Sequence, residues 1–447
     1  MKRTVFFIIL FLFTTQINSQ NNIDQKVLLA KELYSSGKYS EAISIFEEIY
    51  SNKTSGKIYK NYLDCLIKIK DFKRAIKLCE NYYKKRGKNP ATLIDLGRIY
   101  LLSNKEDEAK KQFDLAFKEA NERPNFLLSV ASKFYSMELY TYALDAYNLL
   151  KEKNPQGNYA FQISNIYSQM GDTKKMYEEL LSLMNSNKSY TQTCKNKIRL
   201  TISEDSDNEN NILLKNILLK EIQNANSITL NELLIWLFIQ EEDFSNALKQ
   251  EIAIDKRNSE RDIQIFDLGE IAMSNGNFII AEKAFNYIID KKEFSLYYEK
   301  SVLNSLEIQY SIFKSNSIKE NISLNKLIKN YEKKIEEIGI TNESILTVID
   351  FTHILAFHSK ELEKAKDLLI DILSKKTYSE ENLAYCKLKL GDILLIENDI
   401  WEAQLYYSQV EKKFKHEIIG QEAKFKKIQI DYYSGKFNWA QAQLDIL

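Results

Sequence analysis

The sequence predicts an all-α protein, an α–α superhelix of about twelve antiparallel helix pairs. Three observations carry this. The 447 residues include only 12 Gly and 3 Pro, too few for the tight turns of a many-stranded sandwich or barrel. Apolar residues make up 44%, enough to build a core. One pattern also recurs along almost the whole chain. Lys+Arg and Asp+Glu both number 62, so the chain lacks the bulk positive charge of a nucleic-acid binder.

The first 19 residues, Met1–Ser19, are expected to be a secretory signal peptide. Lys2 and Arg3 precede an apolar run from Val5 to Phe13, and Ser19 supplies a small residue at the cleavage point. The run is short for a membrane span. The first Cys is Cys65, so acylation near the new N-terminus is not expected. No later stretch is apolar enough to cross a membrane. The four Cys (Cys65, Cys79, Cys194, Cys386) fall within helical patterns and are expected to be buried and unpaired, with a Cys65–Cys79 bridge as the alternative.

The repeat is clearest in Leu33–Ile49, Tyr100–Ala116, Ala272–Ile288 and Leu394–Val410. Each has an apolar residue, Gly or Asn four further on, and a small residue five beyond that. An aromatic follows after four more. The small residues are Ala42, Ala109, Ala281 and Ala403. The same register places Ala75, Ala143, Met176, Ala247, Ala365 and Ala440. Two gaps, Met176 to Ala247 and Ala281 to Ala365, each leave room for one degenerate unit. Ten clear units and two degenerate ones, each about 34 residues long, fill the chain after the leader.

Each unit reads as two helices. Gly97, Gly269 and Gly391 fall mid-helix, where a side chain would block the partner. Gly37, Gly171, Gly276 and Gly435 fall where the first helix stops and the chain enters the left-handed region. Pro90 and Pro124 stand near helix starts and Pro155 in a turn. One pair cannot bury its apolar face alone, so neighbours stack into a solenoid.

These residues resemble the tetratricopeptide repeat (TPR) family, of an exported bacterial cell-envelope type. The best match is Leu96, Gly97, Tyr100, Ala109, Phe113 and Ala116. Leu268-Gly269 with Ala281 and Phe285, and Leu390-Gly391 with Ala403 and Tyr407, repeat it. The expected organisation is a signal peptide (1–19) and five units (20–185). A degenerate unit (186–230), further units (231–290), a second degenerate unit (291–343) and C-terminal units (344–447) follow. The degenerate stretches hold helical segments near Tyr190–Ile202 and Asn211–Gln223, and an amphipathic one through Leu324–Ile338.

Candidate chemistry is sparse. His353 and His358 are five apart, about 140° around a helix, which does not make a metal pair. His416 is expected on the surface. The run Asp205–Glu209 hints at a calcium loop, but Asn210 and Asn216 stand where the turn Gly and the acidic ligand are needed. No phosphate-binding, hydrolase or metalloprotease motif occurs. The expectation is no catalytic residue, no metal and no cofactor.

In the TPR family the first helix of each unit lines the concave face, where some members bind a peptide or partner helix. The resemblance places Lys31, Tyr34, Lys60, Asp64, Lys68, Arg98, Leu101, Ser132, Tyr135, Phe161 and Asn165 there. Val27 stands where the family's carboxylate clamp needs its first Lys, so that specificity does not carry over. The expected protein is an exported, non-enzymatic scaffold in the periplasm or at the outer-membrane periphery. It would bind a protein or peptide partner in envelope assembly or secretion, and no nucleic acid. A frame for an unrecognised enzyme and a ligand-free spacer are the alternatives. Trp439, Leu444 and Leu447 continue the apolar pattern to the end, so missing sequence or another chain is expected to cover it.

Overall fold

The computed structural model describes residues 25–447, except 53–54, 226, 259–260, 316–322 and 376. The signal-peptide expectation and most of the Ser315–Glu320 loop lie outside the described residues. Among those residues every regular element is helical. No described helix is long and apolar enough to cross a membrane.

The chain divides into two compact units, Met1–Leu230 and Asn231–Leu447. In the first, α1 (25–35) pairs with α2 (Tyr39–Asn52). Then come α3 (Gly56–Lys68) with α4 (Phe72–Lys85), and α5 (Ala91–Leu102) with α6 (Glu106–Glu122). They are followed by α7 (Leu127–Ser136) with α8 (Tyr140–Lys153), and α9 (Ala160–Gln169) with α10 (Thr173–Ser186). The degenerate pair is α11 (Thr191–Arg199) and α12 (Glu209–Ala225). The second unit begins with α13 (Ile228–Gln240) and α14 (Phe244–Asn258), then α15 (Asp262–Ser274) and α16 (Phe278–Ile289). Its degenerate pair is α17 (Tyr298–Ser315) and α18 (Leu324–Ile338). Three pairs complete it: α19 (Ile345–His353) with α20 (Leu362–Ser374), α21 (Glu380–Ile396) with α22 (Ile400–Lys413), and α23 (Ile418–Tyr433) with α24 (Phe437–Leu444).

All ten clear pairs turn at the same residue, five before the register Ala or Met. Gly37, Gly171, Gly276 and Gly435 have φ of 75°, 77°, 74° and 82° there. The other six turns use Lys70, Asn104, Glu138, Glu242, Lys360 and Asn398, all left-handed as well. The amide of the next residue returns to a carbonyl of the first helix, as in Asp71 N–H to Leu66 O (2.9 Å) and Asn277 N–H to Ala272 O (2.8 Å). That same next residue opens the second helix. The side chains of Asp71, Asp172, Asn277 and Asp399 each accept from the amide three residues on.

The helices of a pair cross where their side chains complement each other in volume. A Cβ added at Gly269 would stand 2.7 Å from the Phe285 ring, and one at Gly391 2.6 Å from Tyr407. Gly97 is as tightly closed by Phe113. Ala30 and Ala131 fill the same slot opposite Phe46 and Tyr147, all buried. In two pairs a larger first-helix residue faces a non-aromatic counterpart: Leu63 faces the register of Cys79, and His353 that of Leu369. In the α13–α14 pair the aromatic register is held by Glu251, which is buried. Arg261 binds it with two hydrogen bonds of 2.8 and 3.0 Å and reaches Glu232 at 2.8 Å, so the charge is paired.

The four Cys are buried and free, so the Cys65–Cys79 bridge does not form. Burial pushes the thiols of Cys65 and Cys194 up to about 11 and that of Cys386 to about 12. The Asp205–Glu209 run serves as a cap. Asp205 Oδ1 accepts from Asp207 N–H, and Asn208 Oδ1 accepts from the amides of Asn210 and Asn211.

His353 occupies the glycine slot of its pair, and α19 passes at once into a π-turn over Ile354–Ser359. Its ring stacks on Phe357 at 4.3 Å, and Lys389 Nζ lies 3.1 Å from Nδ1. Burial first, and then the Lys389 ammonium, lower its pKa from 6.5 to about 4.

Three outcomes follow from this packing. Gly97→Ala costs about 1–3 kcal/mol in denaturant unfolding, and adding Phe113→Leu recovers part of that loss. A Gly97→Ala chain more stable than the parent refutes the crossing constraint. Glu138→Gly raises stability by about 0.5–1 kcal/mol by relieving a left-handed non-glycine residue, whereas Gly276→Ala lowers it. An unchanged melting curve in both variants counts against the turn assignment. For His353 the folded state holds fewer protons than the unfolded state between pH 6.5 and about 4. Its contribution is therefore complete above pH 6.5 and is lost as pH falls through that window. His353→Gln should flatten the pH dependence of second-unit unfolding there by about 2 kcal/mol, allowing for partial exposure.

Candidate binding cleft

The first helices of the first unit stand side by side because the crossing constraint turns one fixed face of each toward its partner helix. Their other face is left for polar and aromatic residues. Contacts between neighbouring first helices bind this face together. Tyr34 of α1 donates to Asp64 Oδ2 of α3 at 2.7 Å. Tyr59 of α3 donates to Asp95 Oδ2 of α5 at 3.1 Å. Lys133 of α7 meets Asp95 Oδ1 at 2.6 Å. Tyr59 is also stacked on Tyr82 at 3.8 Å, which fixes its ring.

Between these helices lies a cleft of about 330 Å³. Tyr34, Lys60, Asp64 and Arg98, four of the residues marked from sequence, line it together. Lys31 lines a smaller recess of about 150 Å³ with Val27 and Phe46. Lys68 and Leu101 are exposed on the same helices but line neither space. Ser132 is exposed and its Oγ lies 3.2 Å from the Tyr147 hydroxyl. Tyr135 is half-buried, with its ring tilted against that of Tyr140. Phe161 and Asn165 lie further along, on α9, where Lys197 of α11 reaches both: its ammonium bonds Asn165 Oδ1 and sits 5.8 Å from the Phe161 ring centre.

The cleft keeps its phenols protonated. The hydrogen bond to Asp64, and then burial, push Tyr34 up to about 12. Burial, and then the Asp95 charge, hold Tyr59 well above the usual phenol value. Both hydroxyls are thus fixed donors to carboxylates, and Asp95 is held by a phenol and an ammonium at once. Among the described residues neither Lys60 nor Arg98 has a carboxylate partner, so the cleft offers two unneutralised cations. No described group of His, Cys, Asp and Glu is arranged to hold a metal ion.

Tyr59, Asp95 and Lys133 were not marked from sequence. Asp95 lies three residues before Arg98 on α5, a spacing that shares a helix face. Lys133 adjoins Ser132. A first-helix face is wide enough to present two rows of side chains, and the repeat register alone selects one.

A family model described as tetratricopeptide repeat matches residues 66–131, which span α4, α5 and α6 with parts of α3 and α7. Over that segment the chain is similar to tetratricopeptide repeats. The matched segment includes Gly97, Ala109 and Phe113, the tightest of the helix crossings. No curated protein matches this chain. Among solved structures, the Cut9–Hcn1 hetero-tetramer of the APC/C is 14% identical, with 88% of each chain covered and a TM-score of 0.29. A tetratricopeptide repeat protein from Parabacteroides merdae is 12% identical, with 68% of this chain and 97% of that one covered and a TM-score of 0.27. These superpositions are loose, and the TPR assignment rests on the family match and the repeated helix pair.

Proposed function

We propose that this protein is an exported TPR scaffold of the bacterial cell envelope that holds a protein partner on the first-helix face of its first unit. The cleft lined by Tyr34, Lys60, Asp64 and Arg98 carries the reading. Its walls are helices fixed by buried crossings, and its polar groups come from successive pairs. That combination suits recognition of a side-chain pattern on another chain. The leader-like Met1–Ser19 supports export, to the periplasm or the outer-membrane periphery. Envelope assembly or secretion is the setting that an exported array of this kind fits.

Crosslinking in cells followed by mass spectrometry tests this. The wild-type chain should capture a reproducible envelope partner. Lys60→Glu with Arg98→Glu should reduce that capture several-fold while stability stays within about 0.5 kcal/mol, since both residues are exposed. Equal capture by the double variant removes the cleft from the binding site, and capture of random neighbours alone favours a spacer.

A further inference from the structure

The charge of this neutral chain is not spread evenly over its helices. The six first helices of the first unit carry ten Lys or Arg against three Asp or Glu. The six second helices of the same unit carry fourteen against sixteen. The first helices of the second unit carry seven against twelve. The positive excess is therefore greatest on the first helices of the first unit. Internal pairing reduces it, since Lys26 pairs with Glu48 and Lys133 with Asp95, but it does not reach every cation. Two of the three acids are already engaged, Asp64 by Tyr34 and Asp95 by Lys133 and Tyr59. Lys60, Arg98 and Lys197 face no carboxylate within ion-pair distance among the described residues.

Lys197 is the unusual member. Its ammonium is half-buried, and its protein partners are the neutral Asn165 Oδ1 and the Phe161 ring. Burial lowers its pKa. An ammonium kept partly out of water without a counter-ion has given up hydration, and an incoming anion would offset that loss. The amide and the ring fix where that anion must arrive.

We propose that the first-helix face of the first unit takes an acidic segment of another protein, with one carboxylate on Lys60 and Arg98 and a second on Lys197. This rests on the cleft reading above and names its partner chemistry and a second anchor. A nucleic acid fits less well. Asp64 and Asp95 lie in the cleft and would repel a strand that carries a phosphate at every nucleotide, whereas a peptide can place its acids at the cations alone. A second copy of this chain fits less well, because six of the twelve acids on the first helices of its second unit are already in ion pairs, among them Glu232 with Arg261, Asp262 with Lys291 and Asp392 with Lys426. Arg98 and Lys197 are three pairs apart. At about 9 Å between neighbouring helices the two anchors lie about 27 Å apart, the reach of about eight extended residues.

Selection of a random peptide library of about twelve residues on the full-length chain tests this. The enriched peptides should carry an excess of Asp and Glu, with two acids about eight residues apart. Labelled copies of an enriched peptide should bind the parent chain, and replacing its two acids by the matching amides should weaken binding at least tenfold. Lys197→Gln should weaken it three- to tenfold and abolish the advantage of the distal acid only, while Lys197→Arg keeps most of the affinity. Enrichment of neutral or basic peptides overturns the proposal. So does an oligothymidine of similar length that binds as tightly, or parent-chain dimers in light scattering that dissociate on Lys197→Gln. Neutral peptides whose binding still requires Lys60 and Arg98 would refute the acidic partner and leave the cleft reading standing. Enriched peptides indifferent to Lys60 and Arg98 would refute the cleft as well.

Discussion

Everything in this protein depends on how closely two helices cross within a pair. At the crossing one residue of the first helix meets one of the second, and in seven of the ten clear pairs a small residue on one helix meets a larger one on the other. Glycine meets phenylalanine or tyrosine in three pairs, alanine meets an aromatic in others, and leucine meets cysteine in the second. Interiors packed to crystal density accept neither a void nor an extra methylene at such a point. The crossing thereby fixes which face of each helix is buried, and so which face remains for binding.

The turn within each pair is the second half of the same device. One left-handed residue stops the first helix, and the residue after it both closes that helix and opens the next. Asp or Asn at this point satisfies the first amides of the second helix, so the turn leaves few polar groups unmet. Because every clear pair turns the same way, its first helix presents the same face. Where the pattern strains, as at His353 in a glycine slot, the helix widens into a π-turn and the opposing residue is leucine.

With the buried face committed, selection can act on the outward face at little cost in stability. On the first unit this face gathers cations, phenols and an amide from successive first helices. Two carboxylates there are used internally, Asp95 to hold α3, α5 and α7 together and Asp64 to hold α1 to α3. Lys60, Arg98 and Lys197 are left there without a carboxylate partner among the described residues.

The sequence alone determined the helix pairs, their number and their turning points, because these are local. A period of about 34 residues, a small residue at the crossing and a turn residue five before it are all visible in one dimension. The resemblance to the repeat family placed Tyr34, Lys60, Asp64 and Arg98 on one face, and the structure brings them into one cleft. Only the tertiary structure decided the rest. That six non-glycine residues take the left-handed turn is imposed by the two helices that flank them, which outweigh a penalty of about 1–2 kcal/mol each. That Asp95 is shared between Tyr59 and Lys133, residues from three different helices, depends on how neighbouring pairs stack. Lys197 meets Phe161 and Asn165 across more than thirty residues of chain, and it comes from a pair whose sequence lost the repeat pattern. No register could have pointed to it, because its position is set by packing against the pair before it.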